Sequence, residues 1–192
     1  MKTRLELMKE YAMKENLIIH QATDLTEPLD VEVDEIDEIV EDLIIEHQEE
    51  AIRRGVQKDF IVKMEQRLCE FGGEGLAFDK DEYAELIYEE GQLWDGSDIL
   101  FAEMPIGKCH QNACQLYIEH KNDSRYKDTH LVVGYALSEY GFWFAHTWLV
   151  TKDETEQPIV LETCAPSILY YGVILTEAES SYFIMEYSTY ND

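Results

Sequence analysis

The sequence predicts an α+β fold, in which a helical N-terminal half packs on a C-terminal half built around an antiparallel sheet. Up to about residue 94, apolar residues recur every three or four positions, as they do on the buried face of a helix. Between residues 129 and 176, runs rich in Val, Tyr, Phe and Trp alternate with turn residues, which is typical of strands. Between the two halves, residues 105–120 form a further helical pattern that a Pro and a Gly open.

The helices of the N-terminal half are separated by clear breaks. The predicted segments are 1–20, 34–54, 56–71 and 81–94. Asp34 is a suitable N-cap for the second segment, and Gly55 ends it. Residues 72–81 contain three glycines and are the best internal boundary. We therefore expect an acidic helical region at 1–75 and an α+β core at 76–192.

The strands of the C-terminal half are predicted at 129–138, 141–151, 157–163 and 168–176. Thr176 is a suitable N-cap for a last helix that extends to about Tyr187. Glu177 and Glu179 fall in the first turn of that helix, where the helix dipole favours acidic side chains.

Composition limits both the class of protein and its partners. The 192 residues, 45% of them apolar, suffice for one domain with a proper core, with or without a helical annex. The net charge of −26 argues against direct binding of nucleic acid or of an anionic membrane, because phosphate contacts need Lys and Arg. No long apolar run and no secretory signal are visible, so a cytoplasmic protein is expected. The four cysteines lack the spacing of a disulfide framework, which indicates reduced thiols.

The negative charge is concentrated near the second predicted helix. Thirteen acidic residues and no Lys or Arg lie between residues 24 and 50. One explanation is a solvated helix face that keeps the protein soluble. The other is a surface that binds a basic protein partner, which includes imitation of nucleic acid.

Cys109 is the candidate nucleophile. It lies in the first turn of the helix predicted at 105–120, where backbone N–H groups without a partner and the helix dipole stabilise an anion. Such positions lower a cysteine pKa from about 8.5 to roughly 3.5–7.5. The alternative is an inert buried thiol, which is the usual state of a free cysteine.

His146 and Glu162 are the candidate base and orienting carboxylate. They fall on two consecutive predicted strands, which lie about 4.8 Å apart in a sheet, so the two side chains can meet if they share a face. The alternatives are a histidine satisfied in the core and a strand-end acid in solvent. Because Ile159, Val160 and Leu161 indicate a buried strand, an acid that follows them needs a partner.

These residues carry a resemblance to the transglutaminase-like branch of the papain-type cysteine enzymes. The matching pieces are Gly107-Lys108-Cys109, Val132-Val133-Gly134-Tyr135, His146-Thr147-Trp148 and Glu162-Thr163. The three site residues follow one another at intervals of 37 and 16 residues, which also fit that branch. The similarity covers about residues 105–167. It implies a papain-like core, in which a cysteine at a helix N-terminus packs on an antiparallel sheet, and a Cys109-His146-Glu162 triad.

The chain departs from that family at two points. Glu162 stands where the family usually has Asp, so its longer side chain must be set back. The second oxyanion donor, often an upstream aromatic or Gln side chain, has no clear counterpart. The candidates for oxyanion or substrate contacts are Trp94, Gln92, Asn112 and Trp148. Gly107 to Asn112 also resembles arylamine acetyltransferases, although no coenzyme A site is visible and no cofactor is expected.

A zinc site is a weaker interpretation. Cys109, His110, Cys114 and His120 are close in sequence, but zinc ligands favour pairs two to four residues apart. Cys109 and Cys114 are about 140° apart around a helix. We therefore expect no metal.

Two hypotheses follow from the sequence. The first is a cysteine hydrolase or acyl transferase that acts on amide bonds of a protein or peptide, as a protease, an amidase or deamidase, or a transglutaminase. The second is a non-enzymatic acidic inhibitor or adaptor that binds a basic protein surface through residues 24–50. Small, acidic, tyrosine-rich chains of this kind resemble phage accessory proteins.

Overall fold

A computed structural model describes residues 33–79, 82–105, 107–122, 128–152 and 156–187, with side chains from Val40 onward. The helix predicted at 1–20 and the acidic residues between 24 and 32 lie outside the described residues. The described chain forms five helices and seven strands. The helices are α1 (Val33–Arg53), α2 (Lys58–Cys69), α3 (Ala84–Glu90), α4 (Cys109–Lys121) and α5 (Glu177–Tyr187). The strands are β1 (Gly75–Ala77), β2 (Gln92–Asp95), β3 (Ile99–Phe101), β4 (His130–Leu137), β5 (Phe142–Lys152), β6 (Pro158–Glu162) and β7 (Leu169–Ile174).

All seven strands belong to one sheet, which is mostly antiparallel. Its order is β2-β7-β4-β5-β6-β3, and β1 adds to β5 outside this order. Only the β1–β5 and β3–β6 pairs are parallel. Residues 96–98 alone connect β2 to β3, although these strands stand at opposite ends of the order. Because three residues span little more than 10 Å, the two ends lie near each other and the sheet is curled.

The curled sheet separates two apolar clusters. The cluster on the helix side joins Ile61, Met64 and Leu68 of α2 to Trp143 and Leu149 of β5, and it includes side chains from both halves of the chain. The cluster on the other face contains Phe144, Trp148 and Tyr170, with Val40 of α1 packed beside them. Because strand side chains alternate between faces, β5 contributes to both clusters.

Trp148 has room for its indole because two neighbouring strands carry glycine at that point. A Cβ on Gly134 of β4 would lie 2.9 Å from the Trp148 ring, and one on Gly172 of β7 would lie 2.7 Å from it. Gly134 pairs with both His146 and Gly172 in the sheet. The indole therefore lies across β4 and β7, at the glycine of β4 that pairs with His146.

Most predicted elements are observed with shifted ends, and two assignments are wrong. Helix α1 already includes Val33, so Asp34 lies within the helix and is not its N-cap. The segment predicted as a helix over 81–94 ends at Glu90, and Trp94 lies in strand β2. The helix stops because Gly91 packs against β7, where an added Cβ would lie 2.5 Å from the Tyr171 ring. Strands β1, β2 and β3 were also not predicted, since three or four residues are too few to show a period. Thr176 is confirmed as an N-cap, because its Oγ1 accepts a hydrogen bond from the Glu179 N–H.

Among the described residues, no helix is both long enough and apolar enough to cross a bilayer.

Candidate active site

Glu162 and His146 form a buried hydrogen-bonded pair. Nε2 of His146 lies 2.8 Å from Oε2 of Glu162. The two side chains come from the antiparallel neighbours β5 and β6, and both residues are almost completely shielded from solvent, at 2% and 0% exposure. The predicted contact between base and carboxylate is therefore present in the structure.

The Glu162 carboxylate accepts three further hydrogen bonds. Strand β6 ends at this residue, and the chain turns so that the N–H groups of Thr163 and Cys164 donate to Oε1 at 2.7 and 2.8 Å. The Tyr170 hydroxyl donates to Oε2 at 3.0 Å. Every one of these donors favours the charged carboxylate.

The His146–Glu162 pair shifts both pKa values. Burial alone favours a neutral imidazole, but the Glu162 charge, together with hydrogen bonding to Cys109 and Glu162, raises the pKa of His146 to about 10. Burial likewise opposes the Glu162 charge, but the His146 charge, its hydrogen bond and the two backbone N–H donors lower the pKa of the carboxyl. At neutral pH the pair is therefore an imidazolium and a carboxylate.

Cys109 interacts with the same imidazole and raises the pKa of His146 by hydrogen bonding and by charge. Because Glu162 occupies Nε2, Nδ1 is the ring nitrogen left for the thiol. Nδ1 has no hydrogen bond of ordinary distance and angle within the described part of the chain. The contact between thiol and imidazole is therefore a loose one, as is common in catalytic pairs without substrate.

Cys109 is the first residue of α4, as the sequence predicts. The N-cap residue, Lys108, makes no side-chain cap, so the first backbone N–H groups of α4 have no competing side-chain acceptor there. Gly107 precedes it with a φ of 87°, a left-handed conformation that favours glycine. The local sequence Gly-Lys-Cys thus allows the sharp turn that places the thiol at the helix end.

A gap in strand pairing lets the thiol reach His146. On one side of β5, residues 142–144 pair with β1 and residues 149–152 pair with β6. Within the ranges that the structure describes, no strand pairs with residues 145–148 on that side. The start of α4 contacts β5 in this region, because Nδ1 of His110 lies 2.6 Å from Oγ1 of Thr147.

The three site residues are enclosed. Cys109 is 3% exposed, and the His146 ring lies among the rings of Phe144, Trp148 and Tyr170 at centroid distances of 5.6–6.2 Å. Phe101 of β3 is the residue opposite Glu162 where β3 pairs with β6, and it is 47% exposed. Access to the sulfur from solvent therefore requires local opening of the surrounding residues.

The predicted oxyanion and substrate residues have different surroundings. Asn112 is buried, and its amide nitrogen already donates to the Pro105 carbonyl at 2.7 Å and to Cys164 Sγ at 3.3 Å, so it holds the chain that leads to Cys109. Gln92 is exposed in β2 and pairs with Gly172.

The two tryptophans belong to the aromatic cluster beside His146. Trp148 is stacked on the imidazole, with centroids 6.1 Å apart and planes 15° apart. Its Nε1 is buried and has no hydrogen-bond partner in the described residues. Trp94 contacts Trp148 edge to face at 5.8 Å. Trp148 therefore lies beside the imidazole with an indole N–H available, and Trp94 contacts Trp148 instead of the imidazole.

Sequence reasoning missed three contributors to this region. Tyr170 lies in the strand predicted at 168–176, and its hydroxyl binds Glu162 directly. Thr147 and His110, the residues after the base and after the nucleophile, are hydrogen-bonded to each other. The adjacency of these two residues to Cys109 and His146 is the signal that could have drawn attention to them.

No metal cluster competes with this interpretation in the described ranges, where no three His, Cys, Asp or Glu residues are placed to hold an ion. Burial, followed by the charge of Cys109, raises the pKa of Cys114 to about 12, so this neighbour is an inert thiol at neutral pH.

The fold and site define the class only broadly, as an α+β protein with a curled sheet and a buried Cys-His-Glu cluster. No protein-family model, no curated protein and no solved structure matches the chain.

Proposed function

We propose that this protein is a cysteine-dependent hydrolase or acyl transferase that acts on an amide bond of a protein or peptide. Cys109 is the nucleophile, His146 the base and Glu162 the residue that orients the base. The observation that supports this most is the 2.8 Å His146–Glu162 hydrogen bond on Nε2, with Cys109 acting on the same ring. The proposal includes a papain-like core, because α4 begins at the nucleophile and packs on β4 and β5.

The chemistry follows from these positions. The Cys109 thiolate attacks the carbonyl carbon of the amide, and His146 donates its proton to the departing amine, which leaves an acyl-thioester and a neutral imidazole. Water or an amine then attacks the thioester, and His146 takes the proton of the attacking group. The Cys109 backbone N–H, at the start of α4, is the first donor to the oxyanion.

The charges of the cluster favour a catalytic role over a purely structural one. Desolvation of a buried ion pair offsets most of its attraction, so apolar residues of similar volume would stabilise a core at least as well. A buried carboxylate with four hydrogen bonds, next to an imidazole and a thiol, is instead the arrangement that a nucleophile needs.

An acylation burst tests the proposal without knowledge of the natural substrate. We expect p-nitrophenyl acetate to release about one equivalent of nitrophenol rapidly and to acetylate Cys109, as mapped by peptide mass spectrometry. The burst should disappear in Cys109→Ser and become much slower in His146→Gln. The matched control is Cys69→Ser, which removes a half-buried thiol outside the cluster. No burst in the wild type, or acetylation spread equally over the cysteines, would contradict the proposal.

A second candidate function has an observation of its own. On the outward face of α1, Ile45 is 54% exposed and Ile52 is 40% exposed. The acidic residues Glu41, Asp42, Glu46 and Glu49 surround them and are exposed as well. An apolar pair within an acidic face is suited to a basic amphipathic partner, which supports the inhibitor or adaptor hypothesis for residues 24–50.

Titration with a helical Leu/Lys peptide tests this second function. The inhibitor or adaptor function predicts that the peptide binds, that salt weakens the binding, and that Cys109→Ala does not affect it. The double substitution Ile45→Ser/Ile52→Ser, which leaves the net charge unaltered, should weaken the binding. Binding that depends on salt but not on the two isoleucines would reduce it to nonspecific charge attraction.

A further inference from the structure

A short hydrogen bond joins the residue after the nucleophile to the residue after the base. Nδ1 of His110 lies 2.6 Å from Oγ1 of Thr147. His110 follows Cys109 in α4, and Thr147 follows His146 in β5. The separation between the thiol and the imidazole is therefore fixed through a link that is one residue away from each of them.

Each of the two elements lacks one regular restraint at this point, although Asn112 ties α4 to Pro105 and Cys164. The first turn of α4 has no side-chain cap at Lys108, and helix ends without caps fray. Residues 145–148 of β5 pair with β4 on one side only, within the described ranges. The His110–Thr147 bond connects the uncapped first turn of α4 directly to the edge of β5 that is unpaired in the described ranges.

The C-terminal helix holds the His110 ring in place. The centroid of the His110 ring lies 4.6 Å from the ring centroid of Tyr187 and 5.7 Å from that of Phe183, and both of these residues are on α5. Phe183 is buried, and Thr147 is fully buried at the other end of the bond. The imidazole of His110 is thus held between a hydroxyl on the sheet and an aromatic pair on α5.

We propose that His110 and Thr147 are positioning residues that hold Cys109 within reach of His146, with α5 as the brace behind them. This inference rests on the proposed function. It assigns to α5, which begins 68 residues beyond the nucleophile in sequence, a role in keeping the thiol reactive.

The pH dependence of iodoacetamide alkylation at Cys109 tests the inference, with mass spectrometry to locate the modified residue. Thr147→Val removes the hydroxyl at nearly constant side-chain volume. We expect alkylation of Cys109 at pH 6 to slow about tenfold, which is equivalent to a midpoint of the alkylation profile about one pH unit higher. Thr147→Ser restores a hydroxyl and should restore the wild-type profile. His110→Phe keeps the ring contacts with α5 and should behave like Thr147→Val.

The outcomes distinguish a failure of the proposed function from a failure of the positioning role of His110 and Thr147. If wild-type Cys109 alkylates with the midpoint of an ordinary thiol, the proposed function fails. If the wild-type midpoint is low, and Thr147→Val and His110→Phe only lower the melting temperature without changing the profile, the inference is overturned and the bond is structural. Recovery in Thr147→Ser together with a shift in both other variants supports it.

Discussion

His146 and Tyr170 both hydrogen-bond to the same oxygen of Glu162. Nε2 of His146 lies 2.8 Å from Oε2, and the Tyr170 hydroxyl lies 3.0 Å from it. The Ser167 N–H in turn donates to the Tyr170 oxygen at 3.0 Å. The carboxylate is therefore fixed from two strands, β5 and β7, on either side of the central strand β4.

Removal of the Tyr170 hydroxyl should weaken this arrangement. We expect Tyr170→Phe to lower the free energy of unfolding by about 1.5–3 kcal/mol, the usual range for a hydrogen bond to a charged group. Urea denaturation followed by far-UV circular dichroism measures it. Tyr182→Phe is the control, because Tyr182 is 50% exposed on α5 and should change stability little. Equal effects of the two substitutions would show that the Tyr170–Glu162 bond contributes nothing.

The stability supplied by the buried pair should depend on pH in a defined direction. The pKa of His146 is raised from 6.5 to about 10, so its contribution is complete below pH 6.5 and is lost as the pH rises toward 10. The pKa of Glu162 is lowered from 4.5, so its contribution is present above pH 4.5 and is lost as the pH falls below that value. The pair therefore stabilises the fold most between pH 4.5 and 6.5.

Urea denaturation across pH 4–10 tests this dependence. The double variant His146→Phe/Glu162→Leu removes both charges and serves as the reference. As the pH rises from 6.5 to 10, the unfolding free energy of the wild type should fall relative to that of this variant. A difference that stays constant over this range would contradict a charged pair.

Asn112 should affect the approach to the nucleophile more than the helix itself. Asn112→Ala leaves the Pro105 carbonyl without its side-chain donor, and we expect a loss of about 1–3 kcal/mol together with slower acetylation of Cys109. Asn122→Ala is a matched control at the other end of α4, where an exposed amide donates to the Ile118 carbonyl. Unchanged acetylation in Asn112→Ala would show that the loop needs no such restraint.

Gly172 should tolerate no side chain. A Cβ there would lie 2.4 Å from the Val133 carbonyl oxygen and 2.7 Å from the Trp148 indole. We expect Gly172→Ala to cost at least about 1–3 kcal/mol, as overpacked cores do, and to change the near-UV circular dichroism of the tryptophans. A variant with wild-type stability and spectrum would show that the indole does not lie across β7.

The sequence predicts the fold class and the central pair because long patterns and residue chemistry carry that information. Strands of five to eleven residues around His146 and Glu162 show clear apolar character, and an acid after a buried strand needs a partner. The position of Cys109 follows from Pro and Gly before a helical pattern. These features are local, so they can be derived from one chain.

The parts that were not predicted depend on pairing between distant residues. Trp94 continues the spacing of the helix before it, and only the Gly91 contact with Tyr171 shows why that helix stops. The Tyr170 hydroxyl meets Glu162 because β7 joins β4 rather than β6, and no local pattern determines this choice. Asn112 was expected near the oxyanion, but its amide donates to Pro105 and Cys164.

The most direct test of the central claim is the pH profile of Cys109 alkylation in wild type and in Glu162→Gln. Glu162→Gln keeps the size of the side chain but removes the charge that holds His146 as an imidazolium. We predict a wild-type midpoint at or below about pH 7, compared with roughly 8.5 for an ordinary cysteine, and a clear upward shift in the variant. A wild-type midpoint near 8.5, or one that Glu162→Gln leaves unchanged, would contradict the account.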